Sequence, residues 1–78
     1  MVRVQPFAAF ADFIGERELH IPYQEGMTCA DLWNVLRQKY PRLAGVPALF
    51  ARCDEYLPAE SELAPGDTVQ IFPPVSGG

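Results

Sequence analysis

The chain has one histidine, two cysteines and six lysine or arginine residues among its 78 positions, and each scarcity removes a class of function. His20 stands alone, and Cys29 and Cys53 lack CxxC spacing, so no metal site can be assembled from the pattern. The same single histidine offers no base to Cys53 or Ser76, and neither a Cys/His nor a Ser/His/Asp arrangement emerges. Catalysis by this chain alone is therefore not expected. No run of cations can follow a phosphate backbone, and the net charge is −4, which argues against a nucleic-acid partner. No stretch approaches the roughly 20 apolar residues that span a bilayer, so a membrane is not expected either. A glycine-rich phosphate loop is also missing, and no bound cofactor is expected. The run from Met1 to Ile14 is a poor secretory signal, since only Arg3 precedes its apolar part and Asp12 breaks it. With no sign of export, the cysteines read as reduced thiols and the protein as cytoplasmic.

What remains is the composition of a folded domain. Hydrophobic residues make up 49% and charged residues 21%, too apolar for a disordered chain. At this length one domain is expected, burying roughly 60 to 65% of the unfolded chain's surface.

Val2, Val4, Ala8 and Phe10 alternate with Arg3, Gln5, Phe7 and Ala9, which predicts a first strand. A turn or single helical turn over Ala11 to Gly15 leads into a second alternating run, Arg17 to Tyr23, with Leu19 and Ile21 on one side. Thr28 followed by Asp31 forms a capping-box pattern, and Leu32, Val35, Leu36 and Tyr40 recur at helical spacing until Pro41. The predicted helix runs from about Thr28 to Tyr40. Pro41 to Pro47 reads as a loop, Ala48 to Cys53 and Tyr56-Leu57 as short strands, and Pro65-Gly66-Asp67 as a tight turn. Thr68 to Phe72 is the last strand, ended by Pro73, which has no N–H for a ladder. One main helix with four or five strands predicts an α+β fold, in which a mixed sheet packs on the helix; the β-grasp is the natural candidate. The domain is expected to span 1–72 and an extended tail 73–78.

The alternation turns Phe7 and Phe72 to the solvent face of their strands. If the first and last strands are neighbours, the rings form one apolar patch at the root of the tail, and such patches mark protein interfaces. Phe50 depends on Arg52. The cost of burying an unpaired charge favours Arg52 outward, which brings Phe50 outward with it, whereas the inverse choice buries both. His20 reads as a surface residue. Cys29, at the start of the helix, reads as a small buried residue, although the helix dipole there favours a thiolate.

The chain ends on Gly77-Gly78 after Pro73-Pro74-Val75-Ser76. Consecutive prolines favour an extended conformation that holds the tail away from the sheet, and glycines are slim enough to thread a narrow channel. A terminal carboxylate, with an ordinary pKa of about 3.3 to 3.7, is an anion at neutral pH and a poor electrophile. It must be activated before a nucleophile can attack it.

The stretch from Leu63 to Gly78, with its Gly66-Asp67 turn and its PPVSGG ending, resembles the small, sulfur-carrying subunits of molybdopterin synthase, ubiquitin-like proteins of the MoaD/ThiS type. The opening Val2-Arg3-Val4-Gln5-Pro6-Phe7-Ala8 resembles the family's first strand. Related thiamine-pathway carriers do not usually place Pro-Pro-Val-Ser before the diglycine, which favours the molybdenum cofactor branch. The family often has asparagine where this chain has Cys53.

The resemblance implies that an E1-like adenylyltransferase uses ATP to convert the Gly78 carboxylate to an acyl-adenylate. Sulfur from a sulfurtransferase or cysteine desulfurase then replaces AMP, giving a thiocarboxylate. It further implies that Pro73, Pro74, Val75, Ser76 and Gly77 thread into the large catalytic subunit, in a heterotetramer, where sulfur passes to cyclic pyranopterin monophosphate. Phe7, Phe72 and Tyr56 match apolar positions that dock on the large subunit. Two alternatives keep the same activation: a ubiquitin-like modifier joined to lysines through Gly78, and a sulfur donor for thiamine thiazole synthesis.

Overall fold

The alternation of the first strand buries Val2, Val4 and Pro6 and turns Arg3 outward, giving β1 over Val2–Pro6. The computed structural model describes residues 1–74, so the expectations on Val75, Ser76, Gly77 and Gly78 lie outside the described residues. β2 (Leu19–Ile21) returns antiparallel to β1, pairing Val4 with Leu19 and Val2 with Ile21. β3 (Leu49–Arg52), β4 (Glu55–Leu57) and β5 (Thr68–Phe72) complete a mixed sheet ordered β2-β1-β5-β3-β4. Only β1 and β5 run parallel, with Val4 opposite Val69 and Pro6 opposite Ile71. The last strand thus enters beside the first, as the sequence pattern required for a shared aromatic face.

The main helix, α2 (Cys29–Lys39), crosses the inner face of this sheet. Its start is fixed by a complete capping box: the Thr28 hydroxyl accepts from the Asp31 N–H at 3.2 Å, and the Asp31 carboxylate accepts from the Thr28 N–H at 3.0 Å. Arg37 and Lys39 in the last turn complement the negative end of the helix dipole. Cys29, Leu32, Trp33 and Leu36 are its buried residues, whereas Val35, expected on the apolar stripe, is exposed. Trp33 takes the inward place two positions earlier and packs against Phe10 and Phe50. Each large side chain of this kind contributes about 1.5 to 3 kcal/mol by leaving water. After α2 a single 3-10 turn, Pro41–Leu43, inserts Leu43 into the core. The result is a β-grasp α+β fold.

The first strand is shorter than its alternation predicts, because the chain turns at Phe7-Ala8 and begins a short helix, α1 (Ala9–Ile14). The Phe10 N–H donates to the Phe7 carbonyl at 3.1 Å, and Ala8 adopts φ 54° and ψ −133°, close to the first central position of a type II′ turn. Phe10 and Ile14 still reach the core, but from a helix. Gly15, left-handed at φ 77°, closes α1 by donating to the Ala11 carbonyl at 2.8 Å.

Candidate functional site

Three aromatic side chains gather on the solvent face where β5 ends. Phe7 leaves β1 with its N–H donating to the Ile71 carbonyl at 2.9 Å, which carries the parallel ladder one residue beyond Pro6. That bond sets the Phe7 ring beside Phe72, with centroids 5.2 Å apart and planes inclined by only 16°. Tyr56 reaches the pair from β4, its ring 6.1 Å from Phe72 and tilted by 53°. Its ladder partner is Ala51, whose small side chain leaves room for the ring to lean across β3. Leu49, paired with Phe72 across β3 and β5, adds an exposed aliphatic side chain. Sequence alternation missed Leu49, although its even spacing from Ala51 carried the signal.

The exposure of these groups is what makes the patch informative. Tyr56 keeps 71% of its surface in water and Phe7 keeps 42%, while Phe72 lies half-buried between them. Aromatic stacking contributes about 0.5 to 1.5 kcal/mol beyond area burial, so the rings present a fixed surface and lose little freedom when a partner covers them. Gln5 and Gln70 occupy the next positions along β1 and β5, half-buried, and bound the patch with polar groups.

Phe50 does not belong to this surface. It is buried on the inner face, opposite Ile71 and edge-on to Trp33 at 6.2 Å. The expectation that it points outward fails because Arg52, on the same side, is not an unpaired charge: it donates to the Asp67 carboxylate at 2.6 Å. Asp67 belongs to the turn that leads into β5. There Gly66 has φ 85°, the Asp67 N–H donates to the Ala64 carbonyl at 3.1 Å, and the Asp67 carboxylate accepts from the Ala64 N–H at 2.8 Å. The predicted turn therefore holds, with Asp67 capping the Ala64 N–H, and it also supplies the counter-charge that the sequence did not reveal.

Cys53 and Asp54 form the tip joining β3 and β4, at φ 51° and 64°. Two consecutive left-handed residues between paired strands make a type I′ hairpin turn, whose first central position favours asparagine. Cys53 thus occupies an asparagine-type turn position, and its thiol is exposed. Cys29 is fully buried; burial pushes its thiol upward, with the Arg52 charge opposing, so it stays a neutral thiol near pH 7. His20 bonds Glu18 at 2.9 Å on the surface, and that bond together with Arg3 holds the Glu18 carboxyl below its ordinary range.

Among the described residues there is no cluster of potential metal ligands, no ligand-sized cleft and no helix long and apolar enough to cross a membrane. The arrangement presents an exposed aromatic face suited to a protein partner, next to Pro73 and Pro74 where the chain leaves β5.

Comparison with known proteins agrees in both sequence and shape. The ThiS family profile matches residues 4–78. The chain is 33% identical to the human molybdopterin synthase sulfur carrier subunit, over 99% of this chain and 93% of that protein. A Pyrococcus furiosus protein described as molybdopterin converting factor subunit 1 superposes with a TM-score of 0.86 at 27% identity, over 95% of this chain and 97% of that one. A small archaeal modifier protein of Haloferax volcanii superposes with a TM-score of 0.83 at 25% identity, over 99% and 98% of the two chains.

Proposed function

The chain belongs to the ThiS family, and on that premise we propose that it is the small, sulfur-carrying subunit of a molybdopterin synthase. The observation that carries the reading is the stacked Phe7-Phe72 pair, with Tyr56 against it, exposed at the root of a chain that ends in Gly77-Gly78. A carrier needs a docking surface and an activatable end, and here they adjoin.

The chemistry follows from the end group. An E1-like enzyme joins the Gly78 carboxylate to the α-phosphate of ATP and releases pyrophosphate, converting a resonance-stabilised anion into an acyl-adenylate with AMP as leaving group. Sulfide adds to the carbonyl and expels AMP directly; a persulfide on a sulfurtransferase or cysteine desulfurase does so through an acyl disulfide, whose S–S bond a second thiol then cleaves, itself ending as a disulfide. The product is a Gly78 thiocarboxylate. Within the large catalytic subunit its sulfur passes to cyclic pyranopterin monophosphate, and oxygen from water restores the carboxylate. Glycine at 77 and 78 adds no Cβ to the threaded segment, so the reacting carbonyl can enter a narrow channel. The chain itself supplies the acyl group and the docking face; ATP and the catalytic groups belong to its cytoplasmic partners.

The test is a calorimetric titration of the large subunit with this chain and with Phe72→Ala. The variant is expected to bind about tenfold or more weakly, as removal of a central aromatic anchor does, while its circular dichroism stays unchanged. Equal affinities would refute the docking surface.

A second reading, a protein modifier joined to lysines through Gly78, is favoured by the likeness to the Haloferax volcanii modifier protein. Both readings share adenylation and differ in the acceptor. Covalent adducts on other proteins support the modifier, and a stable heteromer with a small-molecule acceptor supports the carrier. The thiazole-synthesis variant of the carrier would bind a different synthase.

A further inference from the structure

Five of the six basic side chains are arginine, and Lys39 is the single lysine of the chain. A guanidinium stays protonated at any physiological pH and does not attack a carbonyl, whereas a lysine amine does so in the fraction that has lost its proton. Lys39 is therefore the sole side-chain amine that an activated copy of this protein can meet on another copy.

Its place in the fold makes the encounter accessible. The Cys29 end of α2 lies level with the start of β5, where the Cys29 thiol feels the charges of Arg52 and Asp67. One turn later Trp33 packs on Phe50, the ladder partner of Ile71 near the end of β5. Helix and strand thus run the same way, and the six further residues to Lys39 add about 9 Å, at roughly 1.5 Å each. Lys39 stands at the end of the molecule from which the tail departs. It is exposed, its Nζ lies 5.9 Å from the Tyr40 ring centroid, and among the described residues no carboxylate pairs with it.

We propose that Lys39 is the self-acceptor site of this protein: when Gly78 is adenylated and no sulfur is at hand, Nζ of Lys39 on a second copy captures the acyl group. The inference rests on the adenylation reading above. In balance, the neutral amine adds to the Gly78 carbonyl, the C–O bond to AMP breaks, AMP leaves, and the amine loses a proton to water. An isopeptide bond remains, and nothing is oxidised or reduced.

The test incubates the chain with ATP and an adenylating enzyme active on ThiS-type carriers, without a sulfur source, in parallel with Lys39→Arg. Pyrophosphate release reports adenylation, and intact mass spectrometry reports a species of two chains less one water. Trypsin should yield Lys39 carrying the branch 53–78, since no lysine or arginine follows Arg52. The bond should survive hydroxylamine, which cleaves the thioester that exposed Cys53 would form. The two-chain species is expected with the natural chain and is expected to vanish with Lys39→Arg while pyrophosphate release persists. A hydroxylamine-resistant dimer in the arginine variant, or adenylation with no dimer from the natural chain, overturns the assignment and leaves the carrier reading standing. No pyrophosphate release from either chain overturns both.

Discussion

Side chain by side chain, the decisive facts are which groups the backbone forces outward. The outward direction of Phe7 and Phe72 was legible from alternation, because a period of two residues fixes the face, and the pairing of β1 with β5 then brings the rings together. Phe50 was not legible, since its direction depended on whether Arg52 had a counter-charge, and that carboxylate, Asp67, lies in a turn fifteen positions away in sequence. Cys53 illustrates a different limit: Cys-Asp carries none of the usual signature of a type I′ turn, and the tertiary pairing of β3 with β4 imposes the left-handed angles regardless. The strain is small but measurable. Cys53→Asn is expected to raise the urea midpoint, stabilising the fold by about 0.5 to 1 kcal/mol with an unchanged slope, because asparagine tolerates the left-handed region better. A lowered midpoint would contradict the turn assignment.

Among the elements, β5 is the one through which the fold and the site are joined. It pairs with β1 on one side and β3 on the other, carries Val69 and Ile71 into the core, and ends on Phe72 at the root of the tail. Its entry is fixed by Asp67, which holds both the Ala64 N–H and the Arg52 guanidinium. Removing the carboxylate orphans both donors, whereas removing Arg52 leaves a partly exposed acid that still accepts from the Ala64 N–H. Asp67→Ala is therefore expected to cost about 1 to 3 kcal/mol and Arg52→Ala about 1 kcal/mol, measured by denaturant unfolding. The reverse order would mean that the turn does not depend on its aspartate. At the start of α2, Thr28→Ala opens the capping box and is expected to cost about 1 kcal/mol in the same assay. This helix start was readable from Thr28 and Asp31, and a helical turn ending at Gly15 was expected, but the beginning of α1 at Ala9 was not, because the alternation of Ala8 and Phe10 imitates a strand and only the turn at Phe7-Ala8 shows where the ladder ends.

On the proposed reading, the molecule as a whole divides its labour between a rigid face and a reactive end. Its inner face is closed by α2, α1 and the 3-10 turn, leaving the aromatic patch on the outer face of the sheet beside the departing tail. A partner that recognises Phe7, Phe72 and Tyr56 fixes where the tail begins, and the length of 73–78 then limits how far Gly78 can travel, to about 20 Å at roughly 3.3 to 3.6 Å per residue. The expectations on the tail rest on its residue types, whereas the aromatic face needed the strand order as well. Deleting Gly78 is expected to abolish sulfur loading without changing stability, a dissociation that unfolding and loading assays on the truncated chain would check. The most direct measurement is intact mass spectrometry of the chain after incubation with ATP, its E1-like adenylyltransferase and a sulfur source. Replacement of one Gly78 oxygen by sulfur, dependent on ATP, is the predicted result; an unaltered carboxylate in the presence of an active adenylyltransferase and sulfur source would contradict the sulfur-carrier account.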